Sequence, residues 1–198
     1  MVELLRRRGI RDERVLAAFL AVPREDFVES ADPYADAPLP IELGQTISQP
    51  YVVALTVEAL ALRGDENVLE IGTGSGYAAA ILAMLAKHVV TVERLEPLAR
   101  SASVVLERFA NVEVHHADGT LGWAASAPYD AIAVAANAPK PPPSLLRQLA
   151  LGGRMILPFG ADDHQRLVKI TREAGGFVHH DLGAVRYVPL VGREGWPS

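Results

Sequence analysis

The stretch Val68-Leu-Glu-Ile-Gly-Thr-Gly-Ser-Gly-Tyr77 joins an apolar strand pattern to a glycine turn, and the helix-forming run Ala78 to Ala86 follows. Gly72, Gly74 and Gly76 permit positive φ and remove the Cβ that would keep a ligand away from the backbone. A dinucleotide turn spaces its glycines G-x-G-x-x-G and aims the next helix at a pyrophosphate. Here the third glycine comes one place early, and Tyr77 stands where that motif wants glycine. A phosphate-free nucleoside cofactor needs only close backbone passage and a nearby acid for a cationic group, and Glu70 precedes the turn. S-adenosylmethionine is such a cofactor. For the glycines alone, an ordinary tight βα turn is the alternative.

Two further acids fall where a nucleoside would meet them. Glu93 ends the β-branched run His88-Val-Val-Thr-Val-Glu93, about twenty residues past Gly72, the place of a ribose-binding acid in a βαβ unit. Asp118 follows the strand pattern Val112 to His116 at what would be the carboxyl end of a parallel strand. There it can accept from an adenine amino group or cap its own turn. Ser48 lies in the polar stretch Ile41-Glu-Leu-Gly-Gln-Thr-Ile-Ser-Gln-Pro50, and its hydroxyl suits either a substrate or the cap of the next helix. His115 and His116 have no third ligand candidate nearby, so no metal is expected.

These residues need a frame, and the periodicities supply one. Residues 3 to 20 predict two short helices interrupted at Gly9 and stopped by Pro23, and residues 24 to 40 predict a proline-rich packed loop. A helix over 51–62 starts behind Pro50, a position the first helical turn tolerates. Strands at 68–71, 88–93, 112–116 and 129–136 alternate with helices at 78–86 and 96–109, the pattern of a parallel sheet. A helix over 144–150, stopped by Gly152 and Gly153, leads to a strand at 154–159. The remainder predicts a hairpin, 167–171 and 177–189, turning at Gly175-Gly176. The expectation is one α/β domain. Residues 1–50 form a helical and loop extension to a Rossmann-like core over 51–198, with seven mostly parallel strands and an antiparallel C-terminal strand.

Composition narrows the classes. Of the 198 residues, 49% are hydrophobic and 22% charged, and no apolar run nears the ~20 residues of a membrane helix. The basic start, Met1 to Arg8, lacks the apolar core of a secretory signal, so a cytoplasmic protein is expected. With no cysteine there is no disulfide, thiolate metal site or cysteine nucleophile. A net charge of −5, with Arg6 to Arg8 as the basic cluster, gives no nucleic-acid footprint. Neither a nucleic-acid nor a membrane partner is expected.

In order along almost the whole chain, Gly44-Gln-Thr-Ile-Ser-Gln-Pro50, the glycine turn, Asp118-Gly-Thr120, Pro128-Tyr-Asp-Ala-Ile132, Gly152-Gly-Arg154 and Val185-Arg-Tyr-Val-Pro-Leu190 resemble the protein-L-isoaspartate (D-aspartate) O-methyltransferase family. The glycine turn is shared by many methyltransferases; the Gln-Thr-Ile-Ser loop and the Val-Arg-Tyr-Val-Pro-Leu segment are far more specific. The resemblance implies a Rossmann-like methyltransferase fold whose last strands depart from the usual order. It also implies S-adenosylmethionine as donor, giving S-adenosylhomocysteine, and a monomer acting on isoaspartyl proteins and peptides.

By the same resemblance Ser48 is the active-site serine, and Thr46, Ile47, Val185 and Arg186 hold the substrate. Gln45, Glu70, Gly72, Thr73, Gly74, Ser75, Gly76, Glu93, Asp118 and Gly119 hold the cofactor. The acceptor is then the free α-carboxylate of an L-isoaspartyl residue, whose methyl ester closes to a succinimide and partly reopens as aspartate. Arg186 either pairs with that carboxylate or forms a structural ion pair. One departure is Ala135-Ala-Asn-Ala-Pro139, where the family leads one to expect Thr-Ala-Ala or Gly-Ala-Ala before proline; it brings Asn137 toward the crevice with its role open. Two other functions fit the same motifs: a carboxyl methyltransferase for one peptide aspartate, and a non-catalytic S-adenosylmethionine-binding protein.

Overall fold

A computed structural model describes residues 1–161 and 164–197. Its centre is a seven-stranded sheet in the order β5-β4-β3-β6-β7-β8-β9. The strands are β3 (Asn67–Ile71), β4 (His88–Glu93), β5 (Val112–His116), β6 (Tyr129–Val134), β7 (Leu149–Phe159), β8 (Arg166–Glu173) and β9 (Gly176–Ala184). The first five run parallel; β8 is antiparallel to both β7 and β9. The order reverses at β3, which has β4 on one side and β6 on the other, and a crevice opens beyond the carboxyl ends of strands at such a switch point. The near-continuous apolar runs of β3, β4 and β6 reflect burial on both faces.

Two apolar layers cover the sheet. One holds α1 (Val2–Arg7), α2 (Glu13–Ala21), α3 (Pro50–Leu60) and α4 (Tyr77–Ala83) against Val68, Val89 and Ala131. The other sets α6 (Pro143–Gln148) against Leu69, Val90 and Ile132. Tyr77, the first residue of α4, fastens the extension to the glycine turn. Its ring is 2% exposed and meets Phe19 and Phe27 edge-on, at centroid distances of 6.0 and 5.4 Å. Each such aromatic pair adds about 0.5–1.5 kcal/mol beyond the area buried.

The extension ends in a two-residue ribbon, β1 (Leu39–Pro40) on β2 (Thr46–Ile47), closed by Leu43 and Gly44 at positive φ. In the same layer as α4, α5 (Glu96–Leu106) packs Leu106 against Gly76 and returns the chain to β5. Several boundaries differ from the sequence pattern. The helices predicted at 51–62, 78–86 and 96–109 each stop two or three residues early. The predicted helix 144–150 stops at Gln148, and β7 begins at Leu149 rather than Arg154. Leu149 pairs with Tyr129 and Arg154 with Ala131, so the residues between them bulge out, with Gly152 at φ 77°. The last strand ends at Ala184 rather than Pro189; beyond it the chain is held by the Gln165 side chain and by backbone bonds to Gln165 and Asn137.

Candidate active site

At the switch point the glycine turn leaves β3 with Gly72, Gly74 and Gly76 at φ 92°, 53° and 87°. A cleft opens over it. Gly72, Thr73, Gly74 and Ser75 form one wall, Glu93 to Leu95 and Gly119 a second, and Ala135 and Ala136 a third. The ribbon and its exit, Gln45 to Ser48, roof the cleft, and Val188 to Val191 close the remaining side. The cavity is narrow, about 100 Å³, and next to it lies a broad groove of about 870 Å³. That groove is built from Arg8, Gln49, Tyr51, Val185, Arg186 and Tyr187 among others. The two cavities share Thr46, Ser48, Ala135 and Val188. A group in the cleft and a chain in the groove would therefore meet beside the Ser48 hydroxyl.

Ser48 does not cap α3. The cap residue is Gln49, without a side-chain bond, and among the described residues no group hydrogen-bonds the Ser48 hydroxyl. What fixes the serine is its backbone. The guanidinium of Arg24 is fully buried and donates to the carbonyls of Pro33, Ala35, Ala37 and Ser48, at 2.6, 3.1, 3.2 and 3.0 Å. Gln165 does the same for the far wall: Tyr187 N–H donates to its Oε1 at 2.7 Å, and its Nε2 donates to Tyr187 O at 3.2 Å. Neither residue carried a motif in the sequence. A long polar side chain next to a strongly bent backbone segment is the signal that could have found them.

Glu93 stands at the mouth of the cleft, 7% exposed. Its two oxygens accept from Gly74 N–H at 3.0 Å and Leu95 N–H at 2.9 Å. A carboxylate has about four acceptor sites, so roughly two remain for the cleft, which suits a pair of ribose hydroxyls. The glycine floor, this half-used carboxylate and the apolar walls Ile71, Val92 and Leu190 fit a nucleoside without phosphates. Among the described residues no cluster of three His, Cys, Asp or Glu side chains could hold a metal ion.

Three of the expected cofactor residues do not line the cleft. Gly76 caps α4, packed so closely that a Cβ would lie 3.0 Å from Leu106 Cδ1. Asp118 is turned into its own loop: it accepts from Thr120 N–H and Oγ1 at 2.9 and 2.7 Å, and from Arg193 N–H at 2.8 Å. Its bonds thus go to its own turn and to Arg193 rather than toward the cleft. Glu70 is 1% exposed and accepts from the Thr91 hydroxyl. Asn137 is fully buried and lies off the cleft lining. Its peptide group bonds Val188 O and Leu190 N–H, its carbonyl accepts from the Trp196 indole, and Nδ2 donates to Gly160 O. It pins the C-terminal segment. Arg186 is exposed at the groove, with no structural ion pair among the described residues.

The family model described as protein-L-isoaspartate(D-aspartate) O-methyltransferase matches residues 1–195. A protein-L-isoaspartate O-methyltransferase of Rhodopseudomonas palustris is 55% identical over 196 residues, covering 96% of this chain and 90% of that one. A Plasmodium falciparum protein described as a beta-aspartate methyltransferase, solved in complex with S-adenosyl-L-homocysteine, superposes with a TM-score of 0.84 at 29% identity, covering 94% of both chains. A second solved protein-L-isoaspartate O-methyltransferase gives 0.89 at 30% identity, over 98% of this chain and 66% of that one.

Proposed function

Because the chain belongs to the protein-L-isoaspartate (D-aspartate) O-methyltransferase family, we propose that its two cavities divide the reaction between them, with Ser48 at their junction. The family's activity is transfer of the sulfonium methyl of S-adenosylmethionine to the free α-carboxylate of L-isoaspartyl residues in damaged proteins, the first step of their repair. Bound in the cleft, the donor supplies an electrophilic methyl and leaves as S-adenosylhomocysteine. Glu93 takes the ribose hydroxyls; the backbone of Gly72 to Ser75, with Gly119 and Gln45, encloses the rest.

The acceptor needs no general base, because an α-carboxyl group of pKa about 3.5 is already anionic at neutral pH. The chain must instead align that carboxylate with the methyl and exclude water, and good alignment supplies up to about 7–11 kcal/mol. Ser48 Oγ–H and Thr46 Oγ1–H donate to the carboxylate without neutralising it. Ile47, 3% exposed, anchors the roof between them. Val185 and Arg186 flank the peptide in the groove. The extension over residues 1–50 thus forms part of the substrate site, contributing Arg8 as well as the roof. A chain without cysteine supports a cytoplasmic enzyme and a net charge of −5 one that works without nucleic acid; the monomer is the proposed working unit.

The observation that carries this reading is that both cavities share the Ser48 and Thr46 lining. The experiment is methyl transfer from labelled donor to an isoaspartyl peptide and its aspartyl twin, with wild type and Ser48→Ala. Only the isoaspartyl peptide should be methylated. Ser48→Ala should lose about ten- to a hundredfold in turnover, the equivalent of one hydrogen bond to a charged group, with donor affinity retained. Equal loss of both would reduce Ser48 to a structural residue.

A further inference from the structure

Behind the cofactor cleft, three side chains form a line with no part in the steps above. Thr73, in the glycine turn, faces the cleft. Its Oγ1 lies 2.6 Å from Thr91 Oγ1, which in turn lies 2.5 Å from Glu70 Oε2. All three residues are buried, none more than 4% exposed, and Oε1 of Glu70 has no partner among the described residues. The alignment follows from the sheet. Glu70 and Thr91 are register partners on β3 and β4, so their side chains share one face, and Thr73 comes two residues after β3 ends.

Each threonine hydroxyl has one hydrogen to give, so donor direction passes along the line as a unit. A charged Glu70 only accepts. Thr91 then donates to Glu70 and accepts from Thr73, whose remaining lone pairs are left for the cleft. If Glu70 carries a proton on Oε2, the direction reverses: Glu70 donates to Thr91, Thr91 to Thr73, and the Thr73 hydrogen is freed. The first arrangement attracts a cation, and the second repels it. We propose that Glu70, acting through Thr91, is a positioning residue that makes Thr73 an acceptor for the cationic amino end of the methyl donor, so that donor binding selects charged Glu70 and expels its proton to solvent.

This rests on the donor assignment made above. Burial pushes the Glu70 carboxyl up to about 8, opposed by the Thr91 hydrogen bond and assisted by the negative charge of Glu93. Glu93 lies on the same face of β4; from β6 the register partner is Ala133, which carries no charge. A carboxyl this buried, with one hydrogen bond and an unpartnered Oε1, favours the neutral form while the cleft lacks donor, and the entering cationic donor tips it to the charged form.

Titration calorimetry of the whole protein with S-adenosylmethionine, in two pH 7 buffers of different ionisation heat, counts the protons. Wild type should release close to one proton more than Glu70→Gln, a difference in which the donor's own titration cancels. Relative to that variant, wild-type affinity should fall by up to about tenfold per pH unit below pH 8. Thr91→Val keeps the carboxyl but cuts the line; it should weaken donor binding and leave the KM for peptide unchanged. Infrared difference spectra of wild type need no variant: a buried neutral carboxyl band should vanish when donor is added at pH 7. No excess proton, no lost band, or wild-type donor affinity in Thr91→Val would each overturn the proposal. Failure of isoaspartyl peptide methylation would count against the function itself, leaving the proton count to judge Glu70 alone.

Discussion

The guanidinium of Arg24 meets four backbone carbonyls, and one of them belongs to Ser48. Burial pulls its pKa down, while Tyr77, Asp36 and Asp32 push it up. Arg24→Met orphans the four acceptors at once. The expected outcome is a stability loss of about 3 kcal/mol with a fall in turnover, while donor affinity stays near wild type. Arg24→Lys should recover part of both losses, since a point charge reaches fewer carbonyls than a planar fork. Thermal melts, donor calorimetry and turnover read the three quantities. Glu93→Ala tests the cleft itself: donor affinity should weaken by about 1.5–3 kcal/mol, with a stability loss of about 1–3 kcal/mol as the Gly74 and Leu95 amides lose their acceptor. That Ser48 and Glu93 both line the cleft was legible in two ways: Glu93 as a strand-end acid at a βαβ spacing, Ser48 only through the family resemblance. Glu70 and Asp118 read alike there, since an acid near a strand end has the same signature whether it faces a ligand, a threonine or its own turn. Arg24 left no trace, because its partners are peptide carbonyls, which every residue has.

Among the elements, the irregular segment after β9 bears most on substrate. Its strand pairing stops at Ala184, and Gln165 takes over at the start of β8, bonding Tyr187 through both amide atoms; Val185 N–H donates to the Gln165 carbonyl. Gln165→Ala should therefore raise the KM for isoaspartyl peptide several-fold and leave donor binding intact, as steady-state kinetics with each substrate varied would reveal. The strand periodicity through Val185 to Pro189 suggested continued pairing, which Gln165 and the Asn137 peptide group replace. The helix at 144–150 was overextended for a similar reason. Leu145 and Leu149 lie one helical turn apart and both are fully buried, yet the second is buried as a strand residue beside Tyr129. The parallel strands β3 to β6 were readable throughout, because β-branched runs separated by helical spacing leave few other topologies.

At the scale of the whole molecule, the layers are locked by an ion pair far from the chemistry. Arg154 of β7 donates to Glu66 at 2.7 Å and to the Leu60 and Ala61 carbonyls at the end of α3. Burial alone would raise the Glu66 carboxyl, but the Arg154 bond and the Arg63 and Gly64 amides outweigh it and hold it below its ordinary 4.5. A depressed folded-state value gives stability that is complete above the unfolded value and is lost as pH falls through the folded one. Acid melts should therefore show wild type losing its advantage over Glu66→Gln below about pH 4.5 and keeping it whole at pH 7. The family's Gly-Gly-Arg motif thus marks a joint between layers rather than a contact with either ligand. The wall common to the two cavities has a last consequence. Thr46, Ser48, Ala135 and Val188 each face both spaces, so a change at any one of them reshapes the two at once, and its effect on either ligand has to be read with the other held constant.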